Sequence, residues 1–524
     1  MQENIEYIEH KFIKPRSVQK RLYQELLTAK AIDDSTLVVA PTGLGKTIVA
    51  VLLIAHTYSF KKNILFLAPT KPLVVQHKRS LDKLLNIEEE NIILLTGQVP
   101  KNKRKEIYKN LGRIICATPQ TINNDIKFKL INFNDFNLII FDEAHRAIGD
   151  YAYVNISSFF PREIKRLALT ASPGGNRQKI EEVANNLKVN HIEIRTEDDL
   201  DVVDFVKGVD IETIFTELDN TSKQISKIFT EFIEKKISFL RKLNLKIPSN
   251  YTKKQMLMVQ AQIFERLKKN KNNILFLGIA NITLILKVYH AKELIETQGF
   301  LPLKNYIDNL FLESKLPKAK LTLKNFVNSK EILEVYKLLL NNKEVYSKDK
   351  LLLNILENYI KDNPKSRILI FNNFRDTANH LVSILNKNKL IKSTRFVGQA
   401  TRSQADKGLS QKEQIEIISD FKKGVFNALV CTSVGEEGLD IPSVDLVIFY
   451  DAVASEIRAI QRRGRTGRFS VGKVILLLNK DTIDEHYYWV SINKEKKMKS
   501  VLKNYHTYKP RKKKSQSTLN DFFK

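Results

Sequence analysis

One short segment constrains this chain more than any other. The octapeptide APTGLGKT (40–47) closes an apolar run, TLVVA (36–40), and opens directly into a helical one, IVAVLLIAH (48–56). A glycine-bearing turn between a buried strand and a helix start can fold around phosphate oxygens, with backbone N–H groups and the helix N-terminus supplying positive potential. The candidate phosphate cradle comprises Pro41, Thr42, Gly43, Leu44, Gly45, Lys46 and Thr47. In this pattern the lysine reaches the β- and γ-phosphates of ATP and the Thr47 hydroxyl faces Mg²⁺. Because such a loop must leave the carboxyl end of a sheet strand, the segment predicts a parallel α/β fold.

The surrounding pattern agrees. Apolar runs recur at 63–69, 91–97, 113–119, 138–145 and 166–173, and again at 367–374, 393–400, 428–434, 445–451 and 472–479, with helical stretches between many of them. They are almost uniformly apolar, as strands buried on both faces are. Two parallel α/β sheets are expected. From 201 to 348 the pattern changes: Ile225, Ile228, Phe229, Phe232, Ile233, Ile237 and Leu240 repeat at helical spacing. The predicted organisation is a first α/β domain over 1–200, a helical insertion over 201–348, a second α/β domain over 349–502 and a flexible basic tail over 503–524. For 524 residues, about three domains is the ordinary expectation.

Two carboxylates end the run LIIFDEAH (138–145). At the carboxyl edge of a parallel sheet, Asp142 is placed to hold Mg²⁺ through its water shell, and Glu143 to orient or deprotonate an attacking water. His145 either senses the γ-phosphate or packs nearby. Far along the chain, QRRGRTGR (461–468) offers positive charge for a γ-phosphate in its transition state: Arg465 and Arg468 as arginine fingers, Gln461 toward the phosphate and its water, Arg462 in the interface. If one sheet carries the lysine and the other the arginines, ATP closes the two against each other and hydrolysis releases them.

Charge points the same way. Lys+Arg 86 against Asp+Glu 58 leaves a net +28, a surface that attracts polyanions. Cys116 and Cys431 cannot form a disulfide framework or a thiolate zinc site by themselves. The first 20 residues lack the apolar region of a signal peptide. The apolar stretch Ile274–Tyr289, broken by Asn281, Thr283 and Lys287, falls short of the ~20 residues of a span. An intracellular, cytoplasmic protein without membrane association is expected.

Taken together, APTGLGKT, DEAH, LTASP (169–173) and QRRGRTGR resemble the superfamily-2 helicases in order and spacing. That resemblance implies two RecA-like domains. It also implies an adenine-reading role for Gln19 in PRSVQ (15–19), coupling of hydrolysis to domain movement by LTASP, and a ribose-side role for Asp440. Thr70, Thr118 and Thr432 become phosphate-backbone contacts. More narrowly, RFVGQATRSQADKGLSQKEQ (395–414), VGEEGLDIPSVDL (434–446), YHAKELIETQGF (289–300) and the long insertion resemble the archaeal Hef helicases and their Fanconi-anaemia M-type and yeast Mph1-like relatives. The resemblance implies an archaeal, ATP-dependent 3′→5′ helicase or translocase on forked and branched DNA, with the insertion contacting the junction. Many Hef proteins continue into a nuclease domain with an ERK-x-x-x-D motif; no ERK string occurs here, so nuclease activity is not carried over.

The last nine residues, QSTLNDFFK, put Leu519, Phe522 and Phe523 at i, i+3 and i+4, on one face of a helical turn, with Gln516 ahead of them. This resembles the PCNA-interacting peptide and implies recruitment to the sliding clamp through a flexible tether. A monomer is expected. Two rival functions share these features: a double-stranded-RNA-stimulated ATPase of the same superfamily, and a clamp-tethered DNA-binding adaptor with a weak motor.

Overall fold

The structure, a computed structural model, describes residues 6–505 apart from 175, 206–208, 250, 270–271, 400–407, 433–434, 436–440, 443 and 456–471. Seven strands build the first sheet: β1 (Thr36–Val39), β2 (Asn63–Leu67), β3 (Ile92–Leu95), β4 (Ile114–Ala117), β5 (Phe136–Phe141), β6 (Lys165–Thr170) and β7 (His191–Ile194). All pairs are parallel, in the order β3-β4-β2-β5-β6-β1-β7. The uniformly apolar runs exist because both faces are covered. Val38, Ile64, Phe66, Ile114, Leu138 and Ile140 enter one core layer, while the alternate Leu37, Leu65, Leu67, Ile115, Ile139 and Phe141 enter the other.

A second parallel sheet contains β8 (Val209–Thr216), β9 (Ile368–Phe371), β10 (Ser393–Phe396), β11 (Ala428–Cys431), β12 (Leu446–Phe449) and β13 (Gly472–Asn479), ordered β10-β11-β9-β12-β13-β8. Position by position this repeats the order β3-β4-β2-β5-β6-β1, so β8 stands where the phosphate-loop strand stands in the first sheet. Here the structure corrects the sequence boundary. Residues 209–216, assigned above to the insertion, pair along their whole length with β13, so the second lobe starts before the helices and is interrupted by them. The pattern hid this strand because it is an edge: Ile211 and Phe215 are exposed, and polar residues separate the apolar ones.

Between β8 and β9, helices Asn220–Lys242, Lys253–Lys269, Asn273–Thr297, Phe300–Lys315, Leu321–Val327 and Lys330–Asn341 share one core, which takes Ile225, Phe229, Phe232, Ile233, Ile237 and Leu240 from the first of them. The apolar stretch expected to fall short of a span lies in the 25-residue helix Asn273–Thr297, long and apolar enough to cross a membrane by length and composition alone. It is the central helix of the bundle, burying Ile282, Ile285, Val288, Leu294 and Ile295 there. Its end is clamped to the second lobe. Gln298 donates to Asp451 at 2.7 Å, and Asn479 donates to the Glu296 carbonyl at 2.7 Å. The Glu296 carboxylate accepts the Ile483 N–H at 3.1 Å. A last helix, Ile483–Tyr505, runs through the start of the expected tail: Met498 and Leu502 are buried in the first lobe's core, and Lys503 pairs with Asp198 at 2.6 Å.

Candidate nucleotide and strand-binding edge

Five neighbouring strands of the first sheet deliver the candidate residues of that lobe to one edge, except Gln19, which precedes the first helix. In spatial order, the carboxyl ends of β4, β2, β5, β6 and β1 lead to Thr118, Thr70, Asp142, Thr170 and the 40–47 loop. In the loop, Gly43 (φ +90°) and Gly45 (φ +68°) occupy the left-handed region. A Cβ on Gly45 would also meet Gln24 Nε2 at 2.7 Å, so only glycine fits there without displacing that amide. Lys46 Nζ donates to the carbonyls of Ala40 at 2.8 Å and Pro41 at 3.0 Å, curling the loop around its own ammonium. Thr42 and Gly43 are exposed at the mouth.

The loop is braced from behind by residues the motif does not contain. Tyr23 Oη and Gln24 Nε2 both donate to the Leu44 carbonyl, at 3.0 and 3.1 Å. They belong to the helix Leu22–Asp33, and Gln19 lies just before it, accepting from Arg21 at 3.4 Å. Gln19 thus belongs to the segment that leads into the helix bracing the loop.

Asp142 is buried beside the loop. Its backbone is tied to β2 through its N–H to the Leu67 carbonyl at 2.9 Å, and Tyr153 Oη donates to its carbonyl at 2.7 Å. Its carboxylate accepts from His77 Nε2 at 2.7 Å. Burial pushes the Asp142 carboxyl up, but His77, Lys46 and the Glu143 N–H together hold it below the usual carboxylate value. Glu143 has left-handed backbone angles (φ 50°, ψ 48°), rare for a side chain with a Cβ and costing about 1–3 kcal/mol. His145 Nδ1 lies 3.3 Å from the Glu143 carboxylate and 3.1 Å from Thr170 Oγ1, and the Thr170 carbonyl accepts the Ala40 N–H at 3.1 Å. His145 thus joins DEAH to LTASP, and Thr170 links both to the start of the loop.

Thr70 and Thr118 stand at the N-termini of helices Lys71–Leu84 and Pro119–Lys127, with proline in the first turn of each. Thr118 Oγ1 is 2.9 Å from Thr121 Oγ1; Thr70 Oγ1 is buried with no hydrogen-bond partner among the described residues. Two parallel helix N-termini on adjacent strands make a strip of positive potential. In the second lobe, Thr432 follows β11, the strand equivalent to β4, and is buried. Asp440, Gln461, Arg462, Arg465, Arg468, Gln516, Leu519, Phe522 and Phe523 lie outside the described residues. Sequence reasoning missed Tyr23, Gln24, His77 and Tyr153, whose contacts join chain positions 11 to 65 residues apart.

A phosphate loop, a DEAH turn and helix N-termini on one sheet edge, followed by a second lobe of matching strand order, define a two-lobed helicase core. Residues 12–175 match the family described as Type III restriction enzyme, res subunit; residues 347–470 match Helicase conserved C-terminal domain; residues 221–346 match the helical bundle of ATP-dependent RNA helicases. The crystal structure of the Pyrococcus furiosus Hef helicase domain is similar at 41% identity and TM-score 0.67, covering 90% of this chain and 98% of that one. The chain belongs to the Hef helicase-domain family. A Methanocaldococcus jannaschii protein named as an ATP-dependent RNA helicase is 41% identical over 500 residues, and the ATP-dependent DNA helicase mph1 of Neurospora crassa 34% over 486. These alignments take in 95% and 89% of this chain but 62% and 41% of the relatives, so the chain spans only part of their length.

Proposed function

We propose that the chain is an ATP-driven 3′→5′ helicase or translocase on forked or branched DNA, serving replication-fork repair and restart. The observation that carries this reading is the shared edge: the phosphate loop, Asp142 and the Thr70 and Thr118 helix N-termini stand on neighbouring strands of one sheet. Nucleotide chemistry and strand grip are therefore mechanically joined.

In this reading Pro41–Thr47 cradle the phosphates, Lys46 turns from its loop carbonyls to the β- and γ-phosphates, and Gln19 reads adenine. The donors suit Mg²⁺: one carboxylate kept ionised by its neighbours and one hydroxyl, Thr47, with no cluster of three or more metal-ligating side chains among the described residues. That is the set Mg²⁺ takes when substrate phosphates and water complete its shell. Thr47 and Asp142 would hold it, and when bound it neutralises charge on the phosphates. Glu143 accepts a proton as water attacks the γ-phosphorus and ADP leaves with the β–γ bridging oxygen. Arg465 and Arg468, with Gln461 and Arg462, stabilise the transferring group from the second lobe, and Asp440 lies toward the ribose. Thr70, Thr118 and Thr432 hold strand phosphates without reading bases.

A specific observation favours a second reading, a double-stranded-RNA-stimulated ATPase: the insertion matches a bundle described for RNA helicases, and one relative carries that name. Names of the Mph1 relatives support DNA. Measuring ATPase stimulation by a model fork, linear duplex DNA and RNA duplex separates the two. We expect the fork to stimulate at least several-fold more than RNA; stronger stimulation by RNA overturns the DNA reading. Recruitment by PCNA through Gln516, Leu519, Phe522 and Phe523 is part of the proposal, supported by their spacing. The double change Phe522→Ala/Phe523→Ala should abolish clamp pull-down and leave ATPase unchanged; retained pull-down removes the clamp from the model of function.

A further inference from the structure

The buried contact between His77 and Asp142 joins two partners from different functional segments. His77 lies on the helix Lys71–Leu84, which Thr70 directly precedes. It shares the buried face of that helix with Val74 and Leu81, the face packed on the sheet. Seven residues separate Thr70 from His77, two helical turns, or about 10 Å along the axis.

The imidazole is held on both sides. The Phe66 ring of β2 lies against it, centroids 4.5 Å apart with a 34° interplanar angle, while Nε2 is 2.7 Å from Asp142 Oδ2. The two side chains are only 7% and 12% exposed, so water does not compete strongly for this bond. A buried, charge-assisted hydrogen bond of this length fixes a carboxylate's rotamer. Asp142 is thus determined at three points: N–H to Leu67, carbonyl to Tyr153, carboxylate to His77.

We infer that His77 is a positioning residue: it sets the orientation of the Asp142 carboxylate and ties it to the helix that begins at the strand-binding Thr70. A displacement of that helix N-terminus by nucleic acid moves His77 as part of the same rigid element, and through it the group that faces the nucleotide's Mg²⁺. The inference rests on the nucleotide-site reading above. Hydrogen-bonded partners of metal-facing groups are worth about 10–100-fold in metal affinity or activity.

The experiment compares His77→Leu, which fills the space without a donor, with His77→Gln, whose Nε2 reaches as far as the histidine's. The first readout is the ratio of fluorescent ATP-analogue affinity in Mg²⁺ to that in EDTA; the second is the fold-stimulation of ATPase by forked DNA. We expect His77→Leu to lose about ten-fold in the Mg²⁺ ratio and most of the DNA stimulation, with affinity in EDTA unchanged. His77→Gln should recover most of both. A wild-type Mg²⁺ ratio in His77→Leu, or a His77→Gln variant as impaired as His77→Leu, overturns the inference. Should His77→Leu fail to fold, His77→Asn, whose shorter side chain stops short of Asp142, takes its place, and equal ratios for Asn and Gln overturn the inference. Failure of the nucleotide-site reading is distinguishable, because it appears in the wild type itself as no Mg²⁺-dependent gain.

Discussion

At the scale of single residues, the position with the strongest tension between stability and chemistry is Glu143. Its left-handed backbone is one that asparagine tolerates and glutamate does not. The strain persists because both neighbours are fixed: Asp142 by Leu67 and Tyr153, and Ala144 by complete burial in the core. Glu143→Asn is therefore expected to stabilise the first lobe by about 1 kcal/mol, raising its melting temperature by about 2–4 °C, while ATPase falls by on the order of 10²-fold. Calorimetry and a steady-state phosphate-release assay check both. A variant that loses stability together with activity would show that Glu143 sits in its conformation without strain. Lys46, Asp142 and Glu143 were legible because their chemistry is local, each in a contiguous motif beside a buried strand. The bracing residues were not. Nothing around Tyr23, Gln24 or His77 marks them, since each acts on a backbone or side-chain atom that folding brings from 20 to 65 residues away.

At the scale of elements, the legible strands are those covered on both faces, where a run of apolar residues has no other economical explanation. The two strands missed, β7 and β8, are both sheet edges. HIEI (191–194) and VDIETIFT (209–216) mix polar with apolar residues and carry too little periodic signal to separate from loop or helix, whereas the opposite edge β3, IILL (92–95), is wholly apolar and was legible. Missing β8 moved the lobe boundary and hid the relation between the insertion and the second lobe. The helices themselves were legible, since the burial of Ile225, Phe229, Phe232, Ile233, Ile237 and Leu240 follows the helical spacing. What clamps them was not: Gln298 to Asp451, Asn479 to the Glu296 carbonyl, and the Ile483 N–H to the Glu296 carboxylate all join residues distant in the chain. Such buried polar contacts are costly unless each partner is met, and so they favour one arrangement of bundle and lobe over near alternatives. The bundle is built to travel with the second lobe.

At the scale of the whole molecule, among the described residues both the chain between β7 and β8 and the helix Ile483–Tyr505 join the two lobes. That helix, 23 residues and about 35 Å long, touches all three units. Asp484 is buried in the second lobe against Lys348, Tyr487 donates to Glu293 of the bundle at 3.2 Å, and Met498 and Leu502 enter the first lobe's core. At the far end Lys499 and Lys503 pair with Glu197 and Asp198, at 3.4 and 2.6 Å. These four partners are half or more exposed, where solvent screening leaves an ion pair weak. Met498 and Leu502, by contrast, are 3% and 7% exposed, and burial of such side chains is worth about 1.5–3 kcal/mol each. The apolar pair therefore holds the second lobe to the first, and the charges only trim it. Met498→Ala/Leu502→Ala is expected to detach the helix end, increase the radius of gyration of the nucleotide-free protein in X-ray scattering, and reduce fork-stimulated ATPase. Basal nucleotide binding should persist. Lys499→Ala/Lys503→Ala should change neither scattering nor turnover appreciably. If the charge variant opens the molecule and the apolar one does not, electrostatics rather than burial sets the resting distance between the lobes, and the helix acts as a salt-tunable latch instead of a fixed strap.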